Sequence, residues 1–276
     1  MYRMKKAITV LALIAASLVC AAQTAEEFKE KYERQVARLG YDGIGVETIL
    51  DKWEAAFPTD GEMLAGRFNY YFAKSRASRM VAKPCDRYLG AAPLVTIPDS
   101  LGVNVNYFQE DFFDDETFSV AMDYIDDAVR NHPQELRYRY LLISALFSYG
   151  KEHPSMAYDE LMNLLQLQKP GRTLWMYMGE VVDDDTFAVG MQEYCAQLFS
   201  TGGDECYGYF RTLSEKLSKM YPANSLFVTN LGSYWLVARG NYKKAISFYE
   251  KALKLNPEDA AAAANLRIAR RKAAKK

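Results

Sequence analysis

The chain has 276 residues, with 34 Lys+Arg against 35 Asp+Glu, two histidines and four cysteines. This near-neutral balance, with no basic stripe before the last turn, excludes the electrostatic footprint of a nucleic-acid-binding domain. The length suffices for one domain with a full core or for one elongated repeat array.

In chain order, the first element is a leader. Arg3, Lys5 and Lys6 precede an apolar run from Ala7 to Val19, followed by Cys20-Ala21-Ala22-Gln23. A positive start, a short apolar stretch and small residues before a cut after Ala22 are the marks of a secretory signal peptide spanning 1–22. The expectation is an exported, periplasmic protein with no transmembrane segment in its mature chain, because the run is too short to span a bilayer comfortably. Acylation at Cys20 is the alternative. Leu18 and Val19 stand where a lipid-attachment motif would have small residues, which favours plain cleavage. The mature chain then carries 31 Lys+Arg against 35 Asp+Glu, a net charge near −4.

Residues 23–77 read as three helices. Ala25 to Leu39 has Phe28, Tyr32 and Val36 on one face, and Gly40 to Gly45 breaks it. Val46 to Phe57 follows and ends at Pro58, and Gly61 to Arg76 has Leu64, Phe68, Tyr71 and Phe72 on its apolar side. Residues 78–113 change period: Leu94 to Ile97 and Val103 to Tyr107 flank the turn Pro98 to Gly102, which predicts an inserted β-hairpin. Such an insertion either projects from the binding face or covers the edge of the array.

Residues 114–224 return to helical spacing: Thr117–Asn131, a helix from Leu136 to Gly150, Ala157–Leu167, Arg172–Val182, Thr186–Phe199 and Glu205–Met220. Asp114 to Met122 recurs as Asp183 to Met191, with seven near-identities in nine at an offset of 69 residues. The acidic triplets fit helix capping better than a metal site, since the spacing of a calcium loop is absent. First and second helices cannot alternate through all of these segments, so one of them must be irregular. Cys195 and Cys206 flank Ser200-Thr201-Gly202-Gly203 and either bridge across a helix hairpin or stay as buried thiols, while Cys85 is expected to be free.

Residues 225–257 carry the most specific signal: Asn230-Leu231-Gly232, Gly240-Asn241-Tyr242, Ala245, Tyr249, Ala252 and Pro257. This run resembles the tetratricopeptide repeat, TPR, as found in exported bacterial proteins. Leu231 and Gly232 sit one residue early against Pro257, which predicts a longer turn between the two helices. Asp259 to Lys275, within 258–276, reads as an alanine-rich capping helix with a basic end. The resemblance implies an all-α fold, a solenoid of antiparallel helix pairs carrying the inserted β-hairpin.

No catalytic constellation is visible. His132 and His153 each precede a proline in a turn, Gly43-Ile44-Gly45 lacks the third glycine of a dinucleotide loop, and no zinc, serine-hydrolase or phosphate-loop motif occurs. The reading is no enzyme, no cofactor and no metal.

In the TPR family, partners lie along the face made by first helices. The resemblance carries that role to Asn69 and Phe72, to Arg137, Tyr140, Ser144 and Phe147, and to Thr229 and Ser233. Phe72 and Phe147 equally suit a core. Ala65 and Thr229 stand where a carboxylate clamp would need lysine. The expected partner is a protein or peptide, not nucleic acid, held by a scaffold or assembly factor of the cell envelope. A glycan-binding subunit at the outer membrane is the rival and needs exposed tryptophan, whereas Trp53, Trp175 and Trp235 suit core positions. An unrecognised hydrolase is the third reading.

Overall fold

A computed structural model describes residues 23–275. The expected leader, residues 1–22, lies outside the described residues. Among these the chain is mainly helical, in antiparallel pairs, with two small β elements. It divides into two compact units: the residues through Lys74 with Glu116–Asn131, and Ser75–Asp115 with His132 onward.

The first unit contains α1 (Ala25–Leu39), α2 (Val46–Ala56), α3 (Gly61–Ser75, apart from its last residue) and all but the first residue of α4 (Asp115–Asn131). Thr24 opens α1 with a reciprocal capping box: its hydroxyl accepts from the Glu27 N–H while the Glu27 carboxylate accepts from the Thr24 N–H. Phe28 stacks on Trp53 at 6.3 Å, with both buried. Arg67 is 5% exposed, and its guanidinium forks to Asp51 at 2.6 Å and Glu54 at 2.8 Å. A buried cation holds only when its donors are met in this way.

The second unit holds β1 (Arg76–Lys83), β2 (Val95–Pro98), β3 (Asn104–Phe113), α5 (Leu136–Tyr149), α6 (Ser155–Leu167), β4 (Trp175–Tyr177), β5 (Glu180–Val182), α7 (Asp184–Thr201) and α8 (Gly203–Met220). It ends with α9 (Ser225–Ser233), α10 (Tyr242–Leu255) and α11 (Ala260–Ala273). Helices pair in order as α5/α6, α7/α8 and α9/α10, and α11 closes on α10 through buried Ala262, Leu266 and Ala269.

The insertion is larger than a hairpin. β2 and β3 form the expected pair, and β1 adds on the far side of the long β3, giving an antiparallel sheet of order β1-β3-β2. β1 continues directly from α3, so residues expected at a helix end become strand.

The helix expected over Arg172–Val182 is absent, and this is the irregular segment. Trp175–Tyr177 pairs with Glu180–Val182 as a two-stranded hairpin. Met178 and Gly179 have φ of 52° and 84°, the two positive values of a type I′ turn. With this segment removed from the helix count, first and second helices alternate without interruption. The 69-residue match therefore pairs a second helix, α4, with a first helix, α7. Its basis is local: each copy follows a strand, ending at Phe113 and Val182, and starts a helix at the next-but-one residue. Asp183 caps α7 by accepting the Thr186 N–H at 2.7 Å.

The extra residue near Gly232 lies inside the helix and not in the turn after it. Residues Tyr234–Ala238 form a π-helical turn, which absorbs one residue while Tyr234 and Leu236 stay buried. The constraint is Tyr249, fully buried, whose ring lies over Gly232: a Cβ there would sit 2.6 Å from Cε1. Asp259, 7% exposed, ties the last helix down. It accepts the Ser225 and Thr229 hydroxyls, each at 2.9 Å, and the Ala262 N–H at 2.9 Å.

Cys195 and Cys206 are buried free thiols and Cys85 is a half-buried one, so the bridge is not formed. Burial pushes the Cys195 thiol up to about 12, opposed by its contact with the Ser214 hydroxyl.

Two predictions follow from this packing. Tyr249→Ala lowers stability by about 3–5 kcal/mol, and Gly232→Ala by about 1–3 kcal/mol. In the Tyr249→Ala background the Gly232 change becomes nearly neutral, which a double-mutant cycle of urea melts measures. Of Cys85, Cys195 and Cys206, an Ellman-type thiol assay of the native protein modifies Cys85, and the other two react only after denaturant is added.

Candidate functional site

The second unit carries a groove between two successive first helices, α5 and α7. Along α5 its wall is Leu136, Tyr140, Ser144 and Ser148; along α7 it is Thr186, Gly190, Glu193, Gln197 and Ser200. Steps of three and four place each set on one helix face. Three adjoining cavities make it up, of about 560, 640 and 340 Å3. Tyr140 and Gly190 line both the first and the second, and Gln197 and Ser200 line both the second and the third.

The middle of the groove depends on Gly190. A Cβ at that position would lie 2.7 Å from the Tyr140 hydroxyl, so the absent side chain lets the phenol reach α7. Tyr140 also packs against Tyr194 at 5.8 Å and Tyr177 at 6.3 Å. Burial holds its phenol well above the usual tyrosine range. Tyr194 donates to the Tyr140 carbonyl at 3.4 Å, and burial pushes its phenol up to about 12, opposed by a hydrogen bond with Ser144.

One end is walled by the β4–β5 hairpin, where Tyr177, Met178 and Val181 are exposed beside exposed Val189 of α7. Two polar anchors hold the hairpin. Glu135, the cap of α5, accepts the Arg137 N–H at 3.2 Å and the Met178 N–H at 3.1 Å, and the Met176 N–H reaches the Gln134 carbonyl at 2.8 Å. Behind it, Gln168 is 3% exposed: its carbonyl accepts the Trp175 indole N–H at 2.7 Å, and its amide donates to Asp184 at 2.8 Å and Tyr221 at 2.9 Å. The other end is bounded by the inserted sheet through Tyr88, Leu94 and Phe108, with Lys151 paired to Asp111 at 3.5 Å.

Of the positions carried over from the family, Tyr140 and Ser144 line the groove. Phe147 also lines the third cavity, and at 5% exposed and stacked on Tyr194 at 5.9 Å it serves the core as well. Arg137 is half-buried with its guanidinium 5.0 Å over the Tyr138 ring and outside the cavity walls. Thr229 is buried on Asp259, and Ser233 is half-buried with its hydroxyl 3.2 Å from that of Tyr249; both serve the α9–α10–α11 packing. In the first unit, Phe72 is half-buried against Phe68 and Phe118, and Asn69 bonds the Tyr32 phenol. Sequence reasoning missed Gly190, Glu193 and Gln197, and all of the hairpin. A two-residue Met-Gly loop between Trp-Met-Tyr and Glu-Val-Val was the signal for the hairpin.

His132 lies edge-on to Tyr138, and the His153 imidazole is 2.9 Å from the Glu205 carboxylate, which raises its affinity for a proton. Trp53 and Trp175 are buried, and Trp235 is half-buried beneath the Lys244 ammonium at 4.0 Å, so none of the three offers a free platform for a sugar ring. Among the described residues, no helix is long and apolar enough to cross a membrane.

No family model matches the chain, and no curated protein matches it. Among solved structures it is similar to YrrB, described as a TPR protein with an unusual peptide-binding site, at 13% identity over 87% of this chain and 90% of that one, with a TM-score of 0.40. It is also similar to yeast Tom70, at 12% identity over 95% of this chain with a TM-score of 0.40, and spans 42% of that protein's length.

Removing the Gln168 amide strands the Trp175 indole N–H in the interior. Gln168→Leu is expected to lower stability by about 2–4 kcal/mol, with hydrogen exchange accelerating first in residues 174–182.

Proposed function

We propose that this chain is an exported, non-catalytic scaffold of the cell envelope that holds an extended polypeptide segment of a partner in the α5–α7 groove. The observation that carries the reading is the continuity of that groove between two β walls, with exposed apolar side chains at one end and hydroxyl and amide groups along the middle. Apolar pockets with a few converging polar groups are where polypeptides dock with little rearrangement. The repeat-like run at 225–257 supports the scaffold role, since stacked helix pairs present preformed surfaces. Export rests on the leader-like residues Arg3 to Ala22.

A photo-crosslinking amino acid at Gln197 tests this in cells, against a control at exposed Lys251 on the remote helix α10. Adducts with one polypeptide from Gln197 alone are the expected result, with a mature chain that begins at Gln23 by intact mass. Ala196→Leu, at an exposed position lining the middle cavity, fills the groove and lowers the adduct yield by about tenfold while the melting temperature changes little. Equal adducts from both positions would place binding elsewhere.

A further inference from the structure

The charged side chains lining the apolar and middle cavities of the α5–α7 groove carry one sign. They are Glu180 at the hairpin and Glu193 on α7, both exposed, and no lysine or arginine lines either cavity. Lys151, in the third cavity, is engaged by Asp111. The apolar cavity between them is open to solvent through Met178, 67% exposed, and Val181, 64% exposed. These exposures are large for side chains that already line a concavity, and they leave apolar surface for an occupant to cover.

We infer that the groove selects a polypeptide segment that presents a long apolar side chain next to a cationic one. This rests on the peptide-binding reading above and adds the class of ligand. The apolar side chain enters between Tyr140, Tyr177 and Val189, where its burial supplies the affinity. The cation lies toward Glu180 and Glu193, where electrostatic complementarity supplies the choice of sequence. An acidic segment is disfavoured at the same place, because like charges oppose each other across a partly desolvated groove. Length follows from geometry. From Thr186 to Ser200, α7 rises about 21 Å at roughly 1.5 Å per residue, which an extended chain covers with about six or seven residues.

Methyl-detected NMR of the full mature chain tests this with two capped Gly/Ser peptides of about seven residues. One carries a leucine and a lysine two positions apart, and the other a leucine and a glutamate. The expected result is that both shift the methyl signals of Met178, Val181 and Val189, with the lysine peptide binding about fivefold more tightly at low salt. In the double variant Glu180→Gln, Glu193→Gln the two affinities converge, while methyl signals remote from the groove stay in place and report an intact fold. Equal affinities in the wild type would overturn the charge selection and leave peptide binding standing. No shift with either peptide, or shifts confined to another surface, would overturn both.

Discussion

Helix packing in the second unit depends on tyrosine rings seated against glycine. Tyr249 lies over Gly232, and the Tyr140 phenol reaches α7 where Gly190 has no side chain. In each case a large flat group fills the space between two helices because the facing residue contributes only backbone. The consequence extends along the chain. A helix pair of this kind cannot bury its apolar face alone, so the spacing of one pair sets the surface offered to the next. The π turn at Tyr234–Ala238 is the visible cost of keeping that seat. One surplus residue is taken up within the helix, and Gly232 remains beneath the ring.

The same contact that closes α5 against α7 also opens the groove. Tyr140 spans to α7 at Gly190, yet the residues one and two turns further, Ser144 and Ser148, are too small to fill the gap to Gln197 and Ser200. The groove persists because its walls are tied down from outside. Glu135 and Gln168 satisfy the polar groups of the β4–β5 hairpin from two sides, so its exposed Met178 and Val181 stand on an anchored support. Side chains placed on such a support have little freedom left to lose on being covered.

Much of this architecture was legible in the residues. The spacing of Ala245, Tyr249 and Ala252 gave the last pair, the β-branched runs around Pro98 to Gly102 gave a hairpin, and the acidic triplet at Asp183 to Asp185 gave a helix start. Less was legible of the groove. Tyr140, Ser144 and Phe147 were reached through the family's lining positions, but the same transfer also returned Thr229, which the fold uses internally. A period of three or four residues identifies a helix face without saying whether that face meets solvent or another helix. The hairpin at Trp175–Val182 was masked for a related reason: its short apolar run suits helix and strand equally, and the deciding feature is the pair of positive φ values at Met178 and Gly179.

By itself the sequence determined the periodic elements outside Trp175–Val182: helix positions to within about two residues, their caps, and the alternation of small and aromatic residues in the final pair. These are properties of neighbours along the chain, set by backbone sterics, capping hydrogen bonds and side-chain spacing. Tertiary structure alone decided which polar groups were spent inside and which remained exposed. Thr229 is withdrawn by Asp259, 30 residues away, and Gly190 becomes part of a groove wall because Tyr140, 50 residues earlier, occupies the volume its side chain would have filled. Burial and excluded volume depend on what packs opposite, and that is fixed only when distant segments meet.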